Sequence, residues 1–297
     1  MPDYIDTLEI SGLHIEIHTD VPLQITEAFL PFQSSFEKAD ILARIRQTEQ
    51  LPCIKGKRVY GSDSYAWLDT GDGLVCVYLD AQKDQRVYAV RQKPDAHHVM
   101  IQYLPGYEKY FCQDQNTFFH LRFPDMICAF GRMILHASLI QSAYGGLLFA
   151  GPSGIGKSTQ ADLWCRYEKA VLLNGDKPVL AKDDAGSWLA YGSPYAGSSR
   201  TYVNACVPVR AVIMLKQGSG NEIRRLNTPQ AFRRLYENLI VNVWDQEFVQ
   251  MICDMLTDLV MKVPVYELVC TPDERAVQVV KRTLEGGGMN GIGSSKA

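Results

Sequence analysis

The sequence predicts an α/β protein in two parts: a β-rich N-terminal domain over residues 1–124 and an α/β domain over residues 125–285 built around a phosphate-binding glycine loop. Three observations carry this. Up to about Gln115 the apolar residues recur at every second position in short runs bounded by turn clusters. The stretch LLFAGPSGIGKSTQ, Leu147 to Gln160, leads from an apolar strand through glycines into a helix. Beyond it, strand-like and helix-like runs alternate to about residue 285.

In chain order, LEISGLHIEIHTD has Leu13, Ile15 and Ile17 at period two, and GDGLVCVYLD and RVYAVRQ repeat the pattern, which predicts an antiparallel sheet. One helix is expected within it, around Phe36 to Arg46. From Asp125 to Leu135 the apolar residues Met126, Ile127, Phe130, Ile134 and Leu135 fall three or four apart, as in a helix that opens the second domain. HASLIQS and LLFA flank AYGG, a glycine turn joining two strands. A helix from about Lys157 to Tyr167, the strand AVLL running to Asn174 and the strand VRAVIML follow. Thr228 then caps, and Pro229 opens, a helix in TPQAFRRLYENL. Met251 to Met261 reads as a further helix, VPVYELVC as a strand, and TPDERAVQVVKRTLE as a last helix with the same opening. The Gly/Ser-rich end, residues 286–297, is expected to be disordered.

Composition narrows the function. With 297 residues, 46% of them hydrophobic, the chain is large enough for one large core or two ordinary ones. A net charge of -3 without a basic stripe argues against a nucleic-acid partner. No run of about 18 apolar residues points to a membrane, and MPDYIDTLEI, with three acids, does not resemble a secretion signal. Eight scattered cysteines without a CxxC pair fit reduced thiols, and the expected location is the cytoplasm.

GPSGIGKS fits the pattern G-x-x-x-x-G-K-[ST]. In such a loop, Gly151, Pro152, Ser153, Gly154, Ile155 and Gly156 present backbone N–H groups to phosphate oxygens, with glycines supplying the positive φ angles this requires. The helix beginning at the loop adds its positive end. Lys157 supplies a mobile cation for the outer phosphates, while the hydroxyl of Ser158, next to Thr159, suits a nucleotide's Mg²⁺. Asp176 closes AVLLNGD 19 residues after Lys157, where a carboxylate at the end of a strand beside the loop can also hold Mg²⁺. ATP and Mg²⁺ are the expected cofactors.

As an ensemble, HASLIQSAYGGLLFAGPSGIGKSTQ resembles the HPr kinase/phosphorylase family: a His opening one strand, a glycine turn, a second strand, then the phosphate loop. The later strand ending in Asp corresponds too. The resemblance covers about residues 134 to 285 and implies the P-loop fold shared by HPr kinase C-terminal domains and phosphoenolpyruvate carboxykinases. It implies that Lys157 and Ser158 bind phosphates and Mg²⁺, that Asp176 sits at the metal, and that His136 lies near the transferred phosphoryl group, making Asp176, His136 and Lys157 the catalytic candidates.

Two departures stand out. The family has an Asp-Asp pair at the strand end whose first member resembles the base, and that position is Gly175 here. A carboxylate restored there is expected to speed proton transfer. The family's Glu-containing downstream segment corresponds to AYGSPYAGSSR, which has no carboxylate, so the reverse phosphorylase reaction is not expected. GSPYAGSSR still has the makings of a substrate loop, with hydroxyls at Ser193, Ser198 and Ser199 and a cation at Arg200. The leading expectation is an ATP-dependent kinase that phosphorylates a hydroxyl, most simply a serine, on a peptide, small protein or small molecule. The alternative is a nucleotide-binding regulatory or peptide-recognition module that transfers nothing. A homo-oligomer is compatible with either, and carboxykinase chemistry ranks well behind both.

Overall fold

The computed structural model describes residues 3–80, 85–92 and 97–286. The polypeptide forms two compact units, residues 1–131 with 242–249, and residues 132–241 with 250–297. The expected disordered tail lies outside the described residues except for Gly286, which ends a helix. All eight cysteines are free. Among the described residues, no helix is long and apolar enough to cross a membrane.

Unit 1 contains β1 (Tyr4–Ile10), β2 (Leu13–Thr19), β3 (Ile41–Gln47), β4 (Lys57–Gly61), β5 (Tyr65–Asp69), β6 (Leu74–Asp80), β7 (Gln85–Gln92) and β8 (His98–Tyr103), then α1 (Asp114–His120) and α2 (Phe123–Cys128). The eight strands form one sheet in the order β1-β2-β3-β8-β7-β6-β5-β4. Ser11 and Gly12, with φ of 53° and 70°, make the two-residue turn between β1 and β2, whose handedness suits twisted strands. Leu13, Ile15 and Ile17 point into the core, as their spacing requires.

Three expectations fail here. The sheet is mixed, because β3 runs parallel to both β2 and β8. The segment expected to be helical around Phe36 to Arg46 contains that same β3, with Ile41, Ala43 and Ile45 buried at period two. The helix expected over Asp125 to Leu135 is also shorter: α2 ends at Cys128, and Arg132–Ile134 is a strand.

Unit 2 contains β9 (Arg132–Ile134), β10 (Ala137–Ser142), β11 (Gly145–Ala150), α3 (Lys157–Glu168), β12 (Val171–Asn174), β13 (Val179–Lys182), β14 (Trp188–Tyr191), β15 (Cys206–Gln217), β16 (Glu222–Arg225) and α4 (Thr228–Tyr236). The helix α5 (Gln246–Lys262) begins in the segment assigned to unit 1 and is followed by β17 (Val265–Cys270) and α6 (Glu274–Gly286). The strands β10 and β11 form the expected hairpin. Twelve residues long, β15 joins two groups of strands. Its first residues pair with β14, and its later ones lie parallel to β11 and β17. Ala211 to Leu215 are buried without a break, the mark of a strand covered on both faces. Trp164 and Leu163 of α3 and Val277, Val280 and Leu284 of α6 share one core with Phe149, Ile213 and Leu268 of the sheet. The cap of α4 is Asn227, one residue earlier than expected, in a reciprocal capping box with Gln230.

Residues 242–249 bring Asn242 and Trp244 into unit 1. The Asn242 amide donates to Asp125 Oδ1, and Arg122 Nε lies 3.4 Å from the other oxygen. The Arg122 guanidinium in turn lies 5.0 Å from the Trp67 ring centre, and Trp67 packs on Trp244 at 4.5 Å. Burial pushes the Asp125 carboxyl up to about 6 despite Arg122. The folded chain therefore holds this proton more tightly than the unfolded chain, where a carboxyl titrates near 3.9. The contribution, about 3 kcal/mol, is present below about pH 4 and is lost as pH rises through about 6. Asp125→Asn keeps an acceptor for Asn242 and should flatten the pH dependence of the urea midpoint across that window. An unaltered slope would assign it to other groups.

Candidate functional site

The end of β11, the start of β10 and the end of β12 lie on one edge of the unit 2 sheet, since Ala150 pairs with Ala137 and Asn174 with Leu139. Carboxyl ends of strands are where open α/β sheets place ligands. The loop from Gly151 to Gly156 leaves β11 at that edge. Its glycines 151, 154 and 156 have φ of 147°, 76° and 107°, a backbone that a side chain would strain. Gly156 is also the N-cap of α3, which has neither a side-chain cap nor an acid in its first turn. The positive end of the helix thus faces the loop without a side-chain counter-charge.

Pro152, Ser153 and Gly154 are exposed, Ile155 and Gly156 half-buried, and Ser158 and Thr159 exposed on the first turn of α3. Lys157 is buried, and its ammonium donates to Gly151 O at 3.0 Å and Pro152 O at 3.1 Å. The cation is therefore held against its own loop. Burial draws its pKa down while Asp176 acts in the opposite direction.

Asp176 reaches this edge by a different route from the one its spacing suggested. The strand before it, β12, does not neighbour β11; β10 lies between them. At the end of β12, Asn174 is fully buried and its Oδ1 accepts from Asp176 N at 3.0 Å and Lys177 N at 2.8 Å. Ala137 N donates to Asp176 O, and Ser138 Oγ to Gly175 O, both at 3.0 Å. Those bonds tie the turn to β10, where His136 immediately precedes the strand. His136 Nε2 lies 3.0 Å from Asp176 Oδ1, and Lys177 Nζ is ion-paired to Asp176 Oδ2. Burial chiefly, with Lys157 and Lys177 adding to it, lowers the His136 pKa, and Asp176 partly offsets them. A neutral ring donating Nε2–H to the carboxylate follows, with Nδ1 left as the acceptor.

The 192–200 loop lies against the same turn, but its serines differ from one another. Ser193 was expected to offer a hydroxyl to substrate, yet it is fully buried. Its Oγ donates to Lys177 O at 2.7 Å and accepts from Asn174 Nδ2 and Tyr195 N. It is a tie between two turns. Ser199 Oγ donates to Ala196 O at 2.7 Å, while Ser198 and Arg200 are exposed, Arg200 in the left-handed region at φ 49°. Gly197, at φ 58°, stands where a Cβ would come within 2.9 Å of Asp176 Cβ.

Gly175 is the sharpest departure from expectation. A Cβ there would lie 2.3 Å from Ser199 Oγ and 2.5 Å from Ser199 Cβ. Its φ is not positive, so space and not conformation demands glycine. The carboxylate expected to help at 175 has no room, since Ser199 fills the place where that side chain would begin. Asn174 and Lys177 had gone unnoticed in the sequence. Asn174 left a signal in the Asn-Gly-Asp order of an Asx turn; Lys177 left none.

No protein-family model matches this chain. No curated protein matches it either. Among solved structures it is similar to the HPr(Ser) kinase/phosphatase from Coxiella burnetii, with 12% identity over 52% of this chain and 98% of that one, at a TM-score of 0.32.

The contact at Gly175 yields a measurable outcome. Gly175→Ala should destabilise the protein by about 1–3 kcal/mol through overpacking, and Ser199→Gly in the same chain should recover much of it. Equal stability of Gly175→Ala and wild type in urea melts would show that the two turns separate freely.

Proposed function

We propose that unit 2 is an ATP-dependent phosphotransferase acting on a hydroxyl, with a serine of a peptide or small protein, or a small molecule, as acceptor. The observation that carries this reading is the convergence at one sheet edge of the glycine loop, Lys157 and the His136–Asp176 pair. The residues fit a magnesium nucleotide. The loop offers backbone N–H groups and a helix end to phosphates, and Ser158 and Asp176 supply the oxygen donors that magnesium prefers. Among the described residues no three His, Cys, Asp or Glu side chains cluster, so the ion would depend on phosphate oxygens and water for its remaining ligands. When bound, magnesium would neutralise charge on the phosphates during transfer.

In this reading Lys157 exchanges its two carbonyl acceptors for phosphate oxygens, and the loop fixes the phosphoryl chain for in-line attack. His136 takes the place of the missing carboxylate base. Held at Nε2 by Asp176 and uncharged at neutral pH, it can accept the acceptor's proton at Nδ1 as the new O–P bond forms and ADP leaves. Asp176 thereby has two tasks, orienting His136 through Oδ1 and facing the metal through Oδ2.

One observation favours the non-catalytic reading: Ser199 closes the place of a second carboxylate beside Asp176. The two readings separate in a single set of measurements. Lys157→Ala should weaken MgATP binding by calorimetry at least about tenfold, the equivalent of roughly 1.4 kcal/mol. Asp176→Asn should leave metal-free nucleotide binding largely intact and stop acceptor-dependent ATP consumption. With His136 as base, wild-type turnover should fall on the acid side with an apparent pKa below the usual 6.5, because the residue's surroundings disfavour its charged form. Tight MgATP binding with no turnover for any hydroxyl acceptor would leave the binding module. Unchanged affinity in Lys157→Ala would remove the nucleotide from this loop.

A further inference from the structure

Lys177 is held with unusual thoroughness for a half-exposed lysine. Its N–H donates to Asn174 Oδ1 at 2.8 Å and to Tyr195 O at 3.2 Å, and its carbonyl accepts from Ser193 Oγ at 2.7 Å. Pro178 follows, and its carbonyl accepts from Leu135 N at 3.2 Å. The backbone on both sides is thus fixed, and the side chain is directed to Asp176 Oδ2. Such a pair contributes little to stability, because its lysine is 39% exposed and screened by water. Its consequence lies in the charge of the site. One carboxylate is bonded to His136 and Lys177, while Lys157 also acts on it from the loop.

We propose that Lys177 is a positioning residue that takes the place of the divalent cation on Asp176 and so makes the site reject free metal while accepting a metal nucleotide. This rests on the reading of Asp176 as a metal-facing carboxylate. A bare divalent ion must displace an ammonium from the carboxylate and then stand among two lysines, with no cluster of three His, Cys, Asp or Glu side chains among the described residues to offset the repulsion. An ion arriving on a nucleotide brings more negative charge than positive. The phosphates satisfy Lys157, and Lys177, whose half-exposed ammonium is held by Asp176 Oδ2, can exchange that oxygen for an anionic one of the nucleotide. Charge balance thus selects the complex over its parts.

The test is manganese binding to the full chain, read by electron paramagnetic resonance without nucleotide. Wild type and Lys177→Arg should show little binding at millimolar metal, Lys177→Met should bind at least tenfold more tightly, and Asp176→Asn added to Lys177→Met should abolish the gain. Arginine keeps the charge and controls for folding. Equal manganese binding in wild type and Lys177→Met, or a gain that survives Asp176→Asn, would overturn the proposal. MgATP titration of wild type separates this from the functional reading. Nucleotide binding without a manganese gain in Lys177→Met defeats the lysine inference alone, whereas an Asp176-dependent gain without nucleotide binding upholds the exclusion of free metal by Lys177 and defeats both the kinase and the selection of a metal nucleotide.

Discussion

The candidate site depends on one buried amide. Asn174 has no contact with solvent, so each of its polar atoms must find a partner inside the protein. It does so completely: Oδ1 accepts two backbone N–H groups, and Nδ2 donates to Ser193 O and Oγ. The four bonds set the 174–177 turn and the 192–195 turn against each other. Because the turn is fixed, Asp176 and Lys177 cannot drift, and because its neighbour is fixed, Ser199 and Gly197 close over Gly175 and Asp176. A polar network fully satisfied in this way is rigid, which suits groups that must be ready before a ligand arrives.

Rigidity of the turn then decides the electrostatics. Burial, with Lys157 and Lys177 near, disfavours the charged form of His136 against the pull of Asp176, and the two lysines outnumber the one carboxylate they share the site with. Positive potential at the end of a glycine loop favours phosphates, and a neutral imidazole favours proton acceptance. The glycine at 175 has the opposite effect on the missing acid: it admits Ser199 so closely that no side chain can grow there. The absence of a carboxylate at 175 and the presence of the His136–Asp176 pair are therefore features of the same packing. The sheet supports both. Because β15 pairs with β11 along one part and with β14 along another, the strand leading into the glycine loop and the strand leading to the 192–200 loop are held by one common neighbour.

Much of unit 2 was legible because its signals are local. The glycine loop needs particular residues at particular positions, the β10–β11 hairpin has a two-residue turn, and α4 and α6 carry apolar stripes at helical spacing. Helix ends were less exact, since Asn227 caps where Thr228 was expected and only the hydrogen bond distinguishes two good capping residues. In unit 1, β3 had two apolar periods at once: Ile41, Leu42 and Ile45 fit a helix, and Ile41, Ala43 and Ile45 fit a strand. Pairing with β2 and β8 resolved it, and both partners lie far along the chain.

By itself the sequence determined the glycine loop with its lysine and hydroxyl, the hairpin in front of it, and the presence of a single Asp beyond the next strand, because each depends on neighbours in the chain. Tertiary structure alone decided what that Asp touches. His136 and Lys177 each contact one of its two oxygens, β10 intervenes between its strand and the loop, and Ser199 occupies the space beside Gly175. Those relations arise from strand order and from how two turns fill the same volume, and neither strand order nor filled volume is written in the spacing of residues.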